Sequence, residues 1–201
     1  KEVNPKIKTV MGGSHPTALP HETLADPNVD EVCCGEGERY FGDASTLDQL
    51  PLPARHLLDM PKYLWSESPH SGLKRLPVAN ISTSRGCPGR CSFCAIRTTF
   101  GDAFRMRSAD NVIAEIQHLV DVYKVKEIQT EDDCFSANKP RAMAILQGII
   151  DRKLDLSLNS PSGLAIFAMD EELIDKMQEA GYYSLSFAIE SGSPWVLKEL
   201  I

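Results

Sequence analysis

Four strand-then-helix units in succession, running from residue 78 to the last residue, constrain the fold of this chain more than any other feature. Val78–Thr83 is predicted as a strand and Ser108–Tyr123 as a helix, with Val112, Ile113, Ile116, Leu119, Val120 and Tyr123 at helical spacing and Ser108 as N-cap. Glu127–Thr130 then reads as a strand, Pro140–Arg152 as a helix, Leu154–Asn159 as a strand, and Asp170–Ala180 as a helix stopped by Gly181. Ser184–Ile189 is the fourth strand, and Pro194 opens a helix that runs to Ile201. Consecutive strands joined through helices lie parallel. The expected class is therefore α/β, with an open or barrel-like parallel sheet and its chemistry at the C-terminal ends of the strands.

Composition permits such a core, since 42% of the 201 residues are hydrophobic and 24% charged. With 21 Lys and Arg against 28 Asp and Glu, the net charge of -7 argues against nucleic acid as a partner, because phosphate-backbone binding needs clustered positive charge. No apolar run approaches the roughly 18 residues of a membrane span. The opening Lys1-Glu2-Val3-Asn4-Pro5 lacks the basic-then-apolar order of a signal peptide, so the chain reads as cytoplasmic. Of six cysteines, three crowd into residues 87–94 and the others stand at 33, 34 and 134. That distribution is unlike a secreted disulfide framework and points to metal.

Ahead of the four units, Lys8–Met11 reads as a strand, Gly12-Gly13-Ser14-His15-Pro16-Thr17 as a turn, Pro20–Ala25 as a helix, and Asp30–Cys34 as a strand closed by Gly35-Glu36-Gly37-Glu38. These elements are too few to cover a sheet. Pro51, Pro53, Pro61, Pro69 and Pro77 then break any periodicity and predict a linker that crosses a surface. Three parts result: residues 1–45, a Pro-rich linker at 46–78, and an α/β domain at 79–201. The first is expected to lack residues before Lys1, and the last to be truncated at its C-terminus.

Directly after the first strand of the series comes Cys87-Pro88-Gly89-Arg90-Cys91-Ser92-Phe93-Cys94, a C-x-x-x-C-x-x-C spacing in which Gly and Pro let three thiolates turn toward one centre. Three ligands leave a coordination position free for something exogenous; the other reading is a zinc site completed by His118 or Cys134. After the second strand, Glu131, Asp132 and Asp133 crowd three acids together. Asn159-Ser160-Pro161-Ser162 and Glu190-Ser191-Gly192-Ser193 give polar tips to the third and fourth strands, with Ser193 also placed to cap a helix. Arg105 and Arg107 have two readings, as partners of a ligand carboxylate or of the strand-two acids, and as a solvated loop.

The cysteine octet, with Phe93 before its third cysteine and a strand just ahead of it, resembles the signature of the radical S-adenosylmethionine superfamily. That resemblance implies a partial βα barrel of which about four units are present, and a [4Fe-4S] cluster held by Cys87, Cys91 and Cys94. It further implies that S-adenosyl-L-methionine chelates the open iron, that Phe93 lies beside its adenine, and that Glu131, Asp132 or Asp133 receives its amino group, although the Gly-Gly-Glu form of many members is absent. Asn159, Glu190 and Ser191 fall at the family's ribose and methionine contacts.

Met11–Thr17 together with Val29–Glu38, and the Leu50-Pro51-Leu52-Pro53-Ala54-Arg55 linker, are similar to the end of the cobalamin-binding domain that precedes the radical domain in one subfamily. This implies that 1–45 is the C-terminal remnant of a Rossmann-like domain, with Gly12, Gly13 and Ser14 against cobalamin. The segment that carries a lower cobalt ligand in many such domains is absent, and His15 does not take that role. The activity implied is reductive cleavage of S-adenosylmethionine to a deoxyadenosyl radical, followed by cobalamin-dependent methylation of an unactivated carbon. The substrate would be a small molecule or natural product, and the reductant a flavodoxin or ferredoxin. No residue is singled out as catalytic. Ring formation or rearrangement is the second outcome. A transfer-RNA methylthiotransferase would need three further cluster cysteines and a basic module, whereas a non-catalytic iron-sulfur or zinc module would leave the acids and polar tips unused.

Overall fold

The computed structural model describes residues 1–42, 46–65 and 72–200; positions 43–45, Pro69 of the expected linker and Ile201 lie outside the described residues. Two short parallel strands come first, β1 (Val10–Gly12) and β2 (Glu31–Cys33), connected through α1 (Ser14–Ala18) and α2 (Pro20–Leu24). Pro20 opens α2, where its missing N–H forfeits no helical bond. After α3 (Gly37–Phe41), residues 46–65 form two 3-10 turns and α4 (Met60–Leu64).

The larger part follows in the order β3 (Val78–Ile81), β4 (Ser84–Arg85), α5 (Ile96–Phe100), β5 (Arg105–Met106), α6 (Ala109–Tyr123), β6 (Glu127–Thr130), α7 (Lys139–Asp151), β7 (Ser157–Ala165), α8 (Glu171–Ala180), β8 (Tyr182–Ala188) and α9 (Pro194–Leu200). Its sheet runs β3-β6-β7-β8 with every neighbouring pair parallel. The expected α/β class and parallel order are those observed.

Helix α6 buries Ile113, Ile116 and Leu119, α7 buries Ile145, Leu146 and Ile149, and all join Ile81, Ile128 and Leu158 of the strands in one core. Each such side chain contributes ~1.5–3 kcal/mol on leaving water. Strand alternation turns the other set of residues away from this layer. Asn80, Gln129, Asn159 and Ser184, one from each strand and paired in register, form a polar row across the opposite face.

Helix ends obey the local rules. Ser108 accepts from Asn111 N at the start of α6, Asn138 from Arg141 N before α7, and Asp170 from Leu173 N before α8. Gly181 ends α8 in the left-handed region at φ 107, with the space for a Cβ taken by the carbonyl oxygen of Leu156, 2.5 Å away.

Three expectations are corrected. Strand β3 stops at Ile81 instead of Thr83, because the Asp132 carboxylate takes the N–H groups of Thr83 and Ser84. Strand β7 starts later than Leu154 and continues to Ala165, so Asn159 is a buried mid-strand residue and not a tip. Pro161 is tolerated there because the pairing with β8 shifts register between Ser160 and Leu164, where no ladder bond is asked of it. Finally, the Pro-rich segment does more than cross a surface: Met60 and Leu64 enter the main core, and Leu47 is buried.

Candidate functional site

The cysteine loop leaves the sheet at the C-terminal end of β3 and is closed at its base by the antiparallel pair β4–β5, Ser84 opposite Met106 and Arg85 opposite Arg105. All three thiols are free. Gly89 N–H donates toward Cys87 Sγ at 3.4 Å, and Cys94 N–H bonds the Cys91 carbonyl at 3.1 Å, which winds the loop into a tight turn. A Cβ on Gly89 would stand 3.3 Å from Cys87 Sγ and 3.9 Å from Cys91 Sγ, so glycine clears the cradle that two of the sulfurs share. Burial pushes the Cys91 thiol above its ordinary value, and negative charge on Cys94, Cys87 and Glu190 pushes the same way. Once deprotonated, three thiols are donors of the type that a soft, multiply charged cation or cluster takes. Among the described residues no three His, Cys, Asp or Glu side chains form a group that could hold a metal ion, so the structure does not itself gather Cys87, Cys91 and Cys94 into a ligand set.

Of the two residues of the zinc alternative, Cys134 adjoins the loop. His118 rides on α6, edge-on to Tyr123 at 5.7 Å. Cys134 is fully buried beside Cys87, and burial together with the Cys87 charge raises its thiol to about 11. Phe93 projects from the loop with 60% of its surface exposed, a free aromatic face beside the thiols.

The acid cluster after β6 divides into separate jobs. Asp132, 2% exposed, accepts from Thr83 N at 2.5 Å, from Ser84 N at 2.9 Å and from the Thr83 hydroxyl. Asp133 accepts from Gly86 N at 3.0 Å. Burial raises both carboxyls, against the donors that face them. Together they pin the backbone immediately before Cys87. Glu131 faces the other way, accepting from Asn80 Nδ2 and Ser162 Oγ, each at 2.8 Å, across the polar row of the sheet. Sequence reasoning treats the three acids as interchangeable, but only Glu131 presents its carboxylate on that face.

At the tip of β8, Glu190 is held in the left-handed region at φ 61, a strained conformation for a side-chain-bearing residue, and sits near enough to bear on Cys91. Ser191 follows, its hydroxyl accepting from Ser193 N at 3.0 Å. Asn159 lies deeper, one strand from Gln129 and against the Tyr183 hydroxyl. Gln129 was not singled out from sequence, yet its amide is wholly buried and bonds to no described residue. Its signal was available: a polar residue alternating with Ile128 in a strand expected to be covered on both faces.

The amino-terminal strand pair docks on this loop. Glu36, buried, pairs with Arg105 and lies 3.5 Å from Arg85, while Glu38 binds Arg85 at 2.7 Å. Arg85 and Arg105 face each other across β4–β5, so Glu36 neutralises like charges that would otherwise push the base of the loop open. Arg85 in turn lowers the Glu38 carboxyl. Arg107 binds Glu115, Asn111 and the Ser82 carbonyl. Neither Arg105 nor Arg107 pairs with the strand-two acids, nor is their loop merely solvated. Gly12, Gly13 and Ser14 form an exposed ledge at the end of β1, where Gly13 adopts φ 107 and a Cβ would meet nothing within 4 Å. Thr17 ties the two glycine turns together, accepting from Gly35 N at 2.9 Å and donating to the Gly13 carbonyl at 2.6 Å.

The chain is 31% identical to the cytidylyl-2-hydroxyethylphosphonate methyltransferase of Streptomyces wedmorensis over 99% of its own length and 47% of that protein. It is 32% identical to the uncharacterized methyltransferase PH0819 of Pyrococcus horikoshii over 98% of its length and 48% of that protein. It thus spans about half the length of the curated relatives it matches. Among solved structures, the cobalamin-dependent S-adenosylmethionine radical enzyme OxsB, with aqua-cobalamin and S-adenosylmethionine bound, shares the fold with a TM-score of 0.71 at 18% identity, over 95% of this chain and 32% of that one. Residues 1–44 match the B12 binding domain family. Residues 81–200, more than half the chain, from the end of β3 through the cysteine loop to α9, match the Radical SAM superfamily, and the chain belongs to that superfamily.

Proposed function

We propose that this chain is the core of a cobalamin-dependent radical S-adenosylmethionine enzyme that methylates an unactivated carbon of a small molecule. The observation that carries this reading is the docking of the turn after β2, through Glu36 and Glu38, onto the base of the three-thiol loop. When bound, a [4Fe-4S] cluster would supply the electron for reductive cleavage of S-adenosylmethionine and cobalamin would carry the methyl group. The chain's own residues position these groups. Cys87, Cys91 and Cys94 hold the cluster in the cradle cleared by Gly89. Phe93 offers its exposed ring to the adenine, and Glu131 its carboxylate to the methionine amino group. Glu190 and Ser191 serve the ribose and methionine ends, with Asn159 one layer below. Asp132 and Asp133 hold the backbone that aims the first cysteine.

In this reading residues 1–45 are the end of the cobalamin-binding domain, 46–78 the linker, and 79–201 the radical domain; Gly12, Gly13 and Ser14 lie against the corrin. The printed names of the two relatives above 30% identity favour methyl transfer over ring formation or rearrangement. The electron would come from a cytoplasmic flavodoxin or ferredoxin. Among the described residues no helix is long and apolar enough to cross a membrane.

Anaerobic reconstitution with iron and sulfide, followed by S-adenosylmethionine and dithionite, tests the proposal. 5′-Deoxyadenosine should form, and Cys91→Ala should abolish it. A reconstituted, iron-loaded protein that leaves S-adenosylmethionine intact would remove the enzymatic reading and leave an iron-sulfur binding module.

A further inference from the structure

The thiol of Cys134 holds none of the proposed groups. It is free and fully buried, just ahead of the short turn Phe135–Ala137 that follows β6. The fold carries it against the cysteine loop through its neighbour: Asp133 Oδ2 accepts from Gly86 N at 3.0 Å, so residues 133 and 134 lie alongside residues 86 and 87. There the Cys134 and Cys87 side chains meet, sharing a hydrogen-bonding interaction and feeling each other's charge. Cys91 is placed differently, since Cys94 and Cys87 act on it through charge alone. The thiol in contact with Cys87 is thus one from outside the octet.

The two members of this pair differ in access. Cys87 is partly exposed, whereas Cys134 has no accessible surface. An oxidant in solution reaches the first residue and not the second. A thiolate oxidised by a peroxide becomes a sulfenic acid, which a neighbouring thiol condenses to a disulfide and which otherwise goes on to the irreversible sulfinic acid. Cys134 stands where such a resolving thiol must stand.

We propose that Cys87 and Cys134 are a redox pair: when Cys87 is not ligating iron, hydrogen peroxide oxidises it and Cys134 traps it as a reversible disulfide, which spares the first cluster ligand from over-oxidation. The Cys87 thiolate attacks one peroxide oxygen, the O–O bond breaks, and hydroxide leaves as the sulfenic acid forms. The Cys134 sulfur then attacks the Cys87 sulfur; the S–O bond breaks, the oxygen leaves as water with the Cys134 proton, and the S–S bond forms. In sum, two thiols and one peroxide give one disulfide and two waters. A dithiol reductant reverses the bond by exchange. The benefit to a cluster ligand rests on the proposed function, but the linkage itself is read without iron, so the two can fail separately.

The test takes the full chain, reduced and freed of metal by a chelator, through anaerobic exposure to hydrogen peroxide, alkylation and trypsin. Cleavage after Arg85, Arg90 and Arg97 isolates Cys87 in residues 86–90, apart from Cys91 and Cys94 in 91–97, and Cys134 falls in 127–141. Mass spectrometry should find 86–90 joined to 127–141 as the main cross-link, and dithiothreitol should remove it. In Cys134→Ala, the same peroxide should add two oxygens to Cys87. After dithiothreitol and reconstitution, that variant should retain at least about threefold less iron than the parent treated alike, while the two load equally without peroxide. If Cys134→Ala fails to fold, as judged by circular dichroism, the map of the parent decides alone. A main cross-link from 86–90 to 91–97, no cross-link at all, or a folded Cys134→Ala chain as well protected as the parent would overturn the pairing.

Discussion

Replacing Asp132 separates the anchoring of the cysteine loop from general acidity near it. Its carboxylate accepts three hydrogen bonds, from Thr83 N, Ser84 N and the Thr83 hydroxyl, in a place that is 2% exposed. Asp132→Ala leaves three buried donors without an acceptor. Each orphan costs ~1–3 kcal/mol, and partial collapse around the alanine brings the expected loss to about 4 kcal/mol. Asp132→Asn is a different case: the retained oxygen still accepts both N–H groups, and the new amide can donate to the Thr83 hydroxyl, which rotates to accept. Its loss of charge-assisted bonding is offset by relief of a buried charge, so the expected change is within ~1 kcal/mol. Urea denaturation measures both. With a slope of ~2 kcal/mol per molar, alanine should move the midpoint down by about 2 M and asparagine by less than about 0.5 M. Iron retained after anaerobic reconstitution and desalting should fall with alanine and hold with asparagine, because Thr83 and Ser84 lead directly into Cys87. An alanine variant within ~1 kcal/mol of the parent would refute the anchoring role.

Other perturbations have definite outcomes. Gly181→Ala forces a Cβ to within 2.5 Å of the Leu156 carbonyl oxygen at φ 107, and should cost at least ~3 kcal/mol in chemical denaturation. Glu36→Gln leaves Arg85 and Arg105 facing each other; the loss should be ~2 kcal/mol, below that of a fully buried pair because both arginines are partly exposed, and limited proteolysis should cut the 87–104 loop faster. Burial raises the Tyr182 hydroxyl from 10.0 to about 12, so the folded chain keeps a proton that the unfolded chain gives up. Stability should therefore fall by roughly 3 kcal/mol at most as pH rises from 10 to 12, and Tyr182→Phe should flatten that slope.

Local signals carried most of the architecture. Helical spacing located α6, Ser108 as N-cap fixed its start and Gly181 fixed the end of α8, because each has a local reason to be there. The cysteine octet marked the loop because its spacing is local too. What escaped sequence reasoning depended on partners far along the chain. Strand β3 ends early only because Asp132, nearly fifty residues on, takes its next two N–H groups. Strand β7 runs past Pro161 only because its register with β8 shifts there. The three acids look alike in sequence; which neighbour each one meets separates Glu131 from the two anchors. Arg105 and Arg107 have two readings in the sequence, and the fold replaces both by bringing Glu36 to the first and Glu115 to the second.

The most direct test is the electron paramagnetic resonance of anaerobically reconstituted, dithionite-reduced protein with and without S-adenosylmethionine, alongside iron and sulfide analysis. The expected result is about four irons and four sulfides per chain, with a reduced-cluster signal that changes shape when S-adenosylmethionine is added. Tightly bound zinc in place of iron, or a cluster signal indifferent to S-adenosylmethionine, would contradict the claim that three thiolates leave one iron open to it.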